Sequence, residues 1–150
     1  MSWTTITVSD LKDAKVSALV EACRTAALGA GQADPVPGII SNVITRVRAE
    51  VASCEENSLD ADVATIPADL KTLACRMIMR EAVSRLRKSL TDDEREEQRN
   101  DLRYLERIAE GKVKVSSTDN PISTEVQSGG AIEQVSTPVR TATRTKLAGL

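Results

Sequence analysis

The basic residues between positions 76 and 88 are the part of this sequence whose types and spacing could do chemistry. They are Arg76, Arg80, Arg85, Arg87 and Lys88. Arg76 and Arg80 are four residues apart, and Arg87 follows Arg80 by seven, so a helix would place these three near one face. Such a row could face the phosphates of a nucleic acid. It could also be the solvated face of an amphipathic helix, with Arg80 paired to carboxylates of a neighbouring helix. We favour the second interpretation because no aromatic residue that could stack on bases lies nearby.

Catalytic and metal-binding patterns are missing from the sequence. It contains no histidine, the commonest general base and the commonest metal ligand. Cys23, Cys54 and Cys75 match no zinc spacing, and we expect them to be buried as small apolar residues. One run of carboxylates could be proposed as a metal or acid–base site: Asp92, Asp93, Glu94, Glu96 and Glu97. Because Arg95 and Arg99 interleave with it at a predicted helix start, we interpret it as solvated surface that complements the helix dipole. We therefore expect no catalytic residue, no cofactor and no metal, and predict that the protein is not an enzyme.

Apolar spacing predicts two helices in the first third of the chain. The first begins near Ser9 or Asp10 and ends before Gly29, and its pattern allows a break near Asp13. The second begins at Asp34-Pro35, where proline fits the first helical position. Its apolar stripe is the most regular in the sequence: Val36, Ile39, Ile40, Val43, Ile44, Val47, Val51 and Cys54. These residues fall on one face of a helix.

Two further helices are predicted in the second third. The third begins around Pro67, and its apolar stripe continues to Leu90. The fourth begins with a capping box, Thr91 to Glu94, and ends at Gly111. The sequence therefore predicts an all-α fold, a small bundle of about four helices within residues 1–112, with no reliable sheet.

The last 38 residues, 113–150, differ from the body in composition. Sixteen of them are Ser, Thr, Gly or Pro, and the aliphatic residues are isolated. Such a segment buries too little apolar surface to offset its ordering entropy. We therefore predict an extended C-terminal arm that docks on partners, with strand-like alternation at its start, residues 112–116. Its candidate partner-binding residues are Val113, Val115, Ile122, Val126, Ile132, Val135 and Val139. Trp3 is a further candidate, although packing against its own domain is the simpler expectation.

Four segments follow one another in a characteristic order between residues 9 and 115. They are Ser9-Asp10-Leu11, Gly31-Gln32-Ala33-Asp34-Pro35 with Ile39-Ile40-Ser41-Asn42-Val43-Ile44, Ile66-Pro67-Ala68-Asp69-Leu70-Lys71 with Arg76, Arg80 and Arg85, and Tyr104-Leu105-Glu106-Arg107-Ile108-Ala109-Glu110-Gly111-Lys112. In this order they resemble the head–tail connector proteins of tailed bacteriophages, also called adaptor or head-completion proteins. The last segment, a helix that ends in Ile-Ala-x-Gly-Lys, is the most specific.

The resemblance implies a structural virion protein. Members of this family form a ring, usually of twelve copies, beneath the portal protein. The ring extends the DNA channel and joins the head to the next neck, stopper or tail protein, and DNA passes through it without specific binding. It also implies that the protein lies in the neck of the virion after assembly in the host cytoplasm.

Charge bears on the main alternative, a small helical regulator that binds nucleic acid through the face from Arg76 to Lys88. Residues 1–112 contain 16 basic and 19 acidic residues, a net charge of −3. A mildly acidic body does not predict tight nucleic-acid binding. The sequence also has no stretch of about 20 apolar residues that could span a bilayer, so we expect no membrane association.

Overall fold

The computed structural model describes residues 3–14, 17–25, 31–86 and 88–122 of the chain. This part consists mainly of five helices, with two short strands and a single 3-10 turn. In chain order they are β1 (Trp3–Thr5), α1 (Val8–Ala14), α2 (Ser17–Thr25), α3 (Val36–Ala52), β2 (Thr65–Pro67), the 3-10 turn (Ala68–Leu70), α4 (Lys71–Ser84) and α5 (Asp92–Ala109). The predicted small helical bundle is confirmed. Residues 123–150, most of the predicted arm, lie outside the described residues.

The fourth helix lies at the centre of the bundle. Its buried residues are Leu73, Ala74, Cys75, Met77, Ile78, Met79 and Ala82. Helices α1, α2 and α3 pack against it, and α5 packs against α3. Because a helix that is apolar on most of its surface must be enclosed by others, α4 is the element on which the bundle is built.

The third helix matches the sequence prediction closely. Its buried apolar residues are those of the predicted stripe up to Val51, and the helix ends before the half-buried Cys54. At its start, an Asp34 carboxylate oxygen accepts a hydrogen bond from the backbone N–H of Val36 at 2.9 Å. This contact satisfies one of the free donors that every helix N-terminus leaves.

The first predicted helix is two helices, α1 and α2, separated near the predicted break. The predicted cap is also displaced, because Thr7 and not Ser9 or Asp10 precedes the helix. The backbone N–H of Thr7 donates to the Asp10 carboxylate at 2.7 Å, and the N–H of Asp10 donates to the Thr7 hydroxyl at 3.4 Å. Asp10 thus closes a capping box from the third helical position.

The prediction of no sheet within residues 1–112 is wrong. β1 pairs antiparallel with β2, with Trp3 opposite Pro67 and Thr5 opposite Thr65. Three residues per strand are too few for the alternation of polar and apolar residues to register in the sequence. All three residues of β2 are buried, so burial against the core, not propensity, specifies this pairing.

The third predicted helix begins later and ends earlier than expected. Pro67 closes β2, and the regular helix begins only at Lys71, after the 3-10 turn. It ends at Ser84, so Leu86 and Leu90 lie beyond it, half-buried. The two leucines keep the helical spacing of apolar residues in the sequence, but they are not part of the helix.

The start and end of α5 are confirmed. Thr91 and Glu94 form the predicted capping box, with each side chain accepting from the other residue's backbone N–H. Gly111 ends the helix with φ +73°, a conformation that glycine adopts without strain. The predicted edge strand at residues 112–116 does not form, and the chain bends at residues 112 and 113.

Candidate functional site: paired cations and the strap

The two arginines of α4 face α5 and are paired with its carboxylates. Both donate to Asp101, whose side chain is almost completely buried. Arg76 Nε also lies 3.3 Å from one oxygen of Glu97, and Arg80 Nη1 lies 3.4 Å from the other. The interpretation that Arg80 pairs with carboxylates of a neighbouring helix is confirmed. These guanidinium groups are therefore already neutralised by the protein itself.

The electrostatics of Asp101 explain why it stays ionised in a buried position. Burial by itself would raise the pKa of Asp101, but hydrogen bonds from Arg76 and Arg80 outweigh that effect and hold the pKa below its usual value. The same hydrogen bond raises the pKa of Arg76. Since each oxygen of Asp101 accepts from an arginine, the carboxylate acts as a clamp between α4 and α5 rather than as a proton acceptor.

Two further cations of the basic run, Arg85 and Lys88, follow the last residue of α4, Ser84. Both are exposed, and Arg87 lies outside the described residues. Of the cations that were predicted to share a helix face, the structure places Arg76 and Arg80 together, both directed at Asp101.

The second candidate site is the strap, which we define as residues 113–122. At its start, Val113 and Val115 are half-buried and pack against the core. The backbone C=O of Ser116 accepts a hydrogen bond from the indole N–H of Trp3 at 3.1 Å. The backbone N–H of Ser116 donates to the Asp69 carboxylate at 3.1 Å, and its hydroxyl donates to the same oxygen.

The far end of the strap is held by backbone contacts to the loop before β2. The N–H of Ala61 donates to the C=O of Asn120 at 2.9 Å, and the N–H of Ile122 donates to the C=O of Leu59 at 2.9 Å. Between them, the hydroxyl of Thr118 donates to the carboxylate of Asp60. The first ten residues of the predicted arm are thus part of the body, because they satisfy polar groups of the 59–69 segment and cover apolar core residues.

Trp3 is a core residue and not an exposed partner-binding anchor. It is 8% exposed, and the Arg48 guanidinium lies 5.1 Å from the centre of its ring. Packing against its own domain, the simpler expectation, is confirmed. Its indole links the first strand of the fold to the strap.

Arg48 organises the loop that receives the strap, and sequence analysis missed it. Its guanidinium donates to three backbone carbonyl oxygens, those of Asp60 at 2.7 Å, Asp62 at 3.0 Å and Thr65 at 2.8 Å. Because the guanidinium group is planar and carries several N–H donors, it can donate to several carbonyl oxygens at once. One signal was available in the sequence, because Arg48 follows Ile44 by four residues and so borders the apolar stripe of α3.

The other predicted partner-binding residues are distributed as follows. Ile122 is 48% exposed at the end of the strap. Val126, Ile132, Val135 and Val139 lie outside the described residues. Of the cysteines, Cys23 and Cys75 are buried, which raises the pKa of each thiol, and Cys54 is half-buried.

Neither a metal-binding cluster nor a membrane-spanning helix occurs in the described residues. Among residues 3–14, 17–25, 31–86 and 88–122, no group of three or more His, Cys, Asp or Glu side chains is arranged to hold a metal ion. Within the same ranges, none of the helices combines the length and the apolar composition that crossing a bilayer requires.

Comparison with known proteins found no match to a family model, to a curated protein or to a solved structure.

The four segments that carry the connector resemblance lie partly at joints of the fold and partly inside helices. Residues 9–11 lie in the capped start of α1, and residues 31–35 lead into α3. Residues 66–71 pass from β2 through the 3-10 turn into α4. Residues 104–112 end α5 and turn the chain into the strap, with the N–H groups of Lys112 and Val113 both donating to the C=O of Arg107. Residues 39–44 lie within α3, and the matching arginines of the third segment, Arg76 and Arg80, lie within α4.

Proposed function

We propose that this chain is a structural virion protein, a head–tail connector (adaptor) subunit of a tailed bacteriophage. It forms a ring, of about twelve copies, under the portal protein and joins the head to the next neck, stopper or tail protein. DNA passes through the ring without specific binding, and no membrane is involved. The protein is assembled in the host cytoplasm and resides in the neck of the virion.

The observation that carries this proposal is the placement of the four connector-like segments. They occur in family order, and each includes a cap, a turn or a helix end of the bundle. Residues at such joints determine how helices meet, so a shared order of joints supports a shared architecture. Function is then inferred from that architecture by analogy.

The strap supports the role of the C-terminal residues as an arm. It holds the last described residue on the body, because the N–H of Ile122 donates to the C=O of Leu59. The 28 residues that follow could reach about 90 Å if extended, at roughly 3.3 Å each. An arm with a fixed origin and this reach can contact a neighbouring copy or the portal.

Nucleic-acid regulation is not favoured by the geometry. Affinity for a phosphate backbone requires cations that are free to replace counterions. Arg76 and Arg80 are instead committed to Asp101 and Glu97.

A head-binding assay tests the proposal. Heads that contain the portal but lack this chain are incubated with purified full-length protein, with a chain that ends at Ile122, or with a full-length chain whose residues 123–150 are in scrambled order. We expect only the full-length protein to sediment with the heads and to restore tail joining. Failure of the full-length protein to bind would refute the connector function. Equal binding by the chain ending at Ile122 would refute the role of the arm while leaving the connector function intact.

A further inference from the structure

A groove without charged side chains lies between the end of β1, the first half of α3 and the loop before β2. It has a volume of about 290 Å³, and its apolar lining includes Ile6, Pro37, Ile40, Ile44 and Val63. The remaining lining residues are threonine, serine and alanine. In a chain in which 28% of the residues are charged, such a surface fits an apolar occupant and no ionic one.

The outer wall of this groove is exposed to an unusual degree. Val63 is 75% exposed, and Ile122, at the end of the strap, is 48% exposed. Tyr104, on α5, is the one other large apolar side chain in the described part of the chain with comparable exposure. Of the two, Val63 lines the groove, and Ile122 is hydrogen-bonded to Leu59 in the loop that carries Val63.

The size of the groove indicates what kind of occupant it takes. Small-molecule sites usually enclose about 300–1,000 Å³ and a few convergent polar groups. This groove lies at the lower end of that range, and its polar side chains carry only hydroxyl groups. It suits a few aliphatic side chains of a peptide segment.

The chain itself delivers such a segment to the groove. The N–H of Ile122 lies 2.9 Å from the C=O of Leu59, and Val63 is four residues further along that loop, so within about 14 Å. Val126 follows Ile122 by four residues, and four residues can span the same distance. Residues 126–139 contain the aliphatics Val126, Ile132, Val135 and Val139 and a single charged residue, Glu133.

We propose that this groove binds the chain's own C-terminal segment, through the aliphatic side chains of residues 126–139 of the same copy. A tether this short gives an effective concentration of the order of millimolar, which favours the chain's own segment over that of another molecule. Docked there, the segment covers Val63 in the isolated subunit. A partner that recruits the segment must then also uncover the groove. The proposal concerns the isolated chain and does not rest on the connector function.

Site-specific photo-crosslinking of the full-length chain tests this inference. Val63 is replaced by p-benzoylphenylalanine, which its exposure permits, and crosslinked peptides are identified by mass spectrometry. We expect crosslinks to residues 126–139 in a product that keeps the mass of one chain. As a control, the same probe at Tyr104, an exposed position away from the groove, is expected to give no crosslink to this segment.

Charge variants supply the second arm of the test. Thr45→Asp introduces a carboxylate into the groove at an exposed position, and Asn42→Asp introduces the same charge on α3 away from the groove. We expect Thr45→Asp to lower the crosslink yield about tenfold, because a buried carboxylate opposes an apolar occupant, and Asn42→Asp to leave it unchanged. Crosslinks between two chains would overturn the proposal in favour of a second copy. An absence of crosslinks to residues 123–150 would overturn it altogether.

Discussion

Two of the three buried charged side chains in the described residues, Arg48 and Asp101, connect separate elements of the body through different partners. Arg48 donates to backbone carbonyl groups and connects α3 to the loop and to Trp3. Asp101 accepts from two arginines and connects α5 to α4. In both cases, removing one partner leaves the other buried and unpaired, which costs more than the interaction itself contributes.

We predict that Arg48→Met lowers the free energy of unfolding by about 2–4 kcal/mol. The methionine fills similar space but leaves three carbonyl oxygens without their donor. Urea denaturation measures the effect. The matched control is Arg46→Met, an exposed position on the same helix, which should change stability by less than about 0.5 kcal/mol. Equal effects at the two positions would contradict the role of Arg48.

Asp101→Asn is expected to lower the free energy of unfolding by about 2–3 kcal/mol at neutral pH. Because folding lowers the pKa of Asp101, its contribution is complete above the ordinary aspartate pKa, about 3.9. The contribution is lost as pH falls through the lower value of the folded state. Urea denaturation at neutral pH and at about pH 3 should therefore show the difference between wild type and variant shrinking on acidification. A difference that stays constant with pH would contradict this account.

At the scale of elements, the sequence predicts long, regular patterns well and short pairings poorly. The stripe of α3 and the capping box of α5 are local and periodic, and both are confirmed. The β1–β2 pair joins segments about sixty residues apart with three residues each, so no local pattern encodes it. The strap was missed for the same reason. Its partners, Trp3 and Asp69, are 113 and 47 residues away from Ser116.

The junction between α5 and the strap depends on glycine. We predict that Gly111→Ala lowers the free energy of unfolding by about 1–2 kcal/mol, because its φ of +73° disfavours a side chain. The added Cβ would also lie 3.3 Å from the Cys54 sulfur. Gly38→Ala is the matched control, because a Cβ there meets nothing within 4 Å, and this helical position should gain up to about 1 kcal/mol. Thermal unfolding of the two variants measures the difference. Destabilisation of similar size by both substitutions would contradict the role of Gly111 at this junction.

The contacts of the strap predict that two truncated chains differ in stability. A chain ending at residue 112 loses the packing of Val113 and Val115 and the acceptor of the Trp3 indole, whereas a chain ending at residue 122 keeps them. We expect the shorter chain to be less stable by about 1–3 kcal/mol. Its tryptophan fluorescence should shift to longer wavelength, a clean signal because Trp3 is the only tryptophan. Identical spectra and stabilities would show that the strap does not belong to the body.

At the scale of the whole molecule, the described part of the chain is a helical body on which the strap lies as far as Ile122. Composition predicted the change in character after residue 112, but not that ten further residues lie on the body. Candidate cations could be found from their spacing, yet their pairing with Asp101 depends on how α5 docks, which no local pattern reveals. The net charge of −3 for residues 1–112 fits a ring that DNA passes without adhering.

Electron cryomicroscopy of the virions of a phage that encodes this chain tests the proposed connector function most directly. We predict a ring of helical subunits immediately beneath the portal, each fitted by α3, α4 and α5, with density after Ile122 that runs onto the portal or a neighbouring subunit. A neck in which this position is occupied by a different protein, with this chain elsewhere in the particle or absent from it, would contradict the assignment.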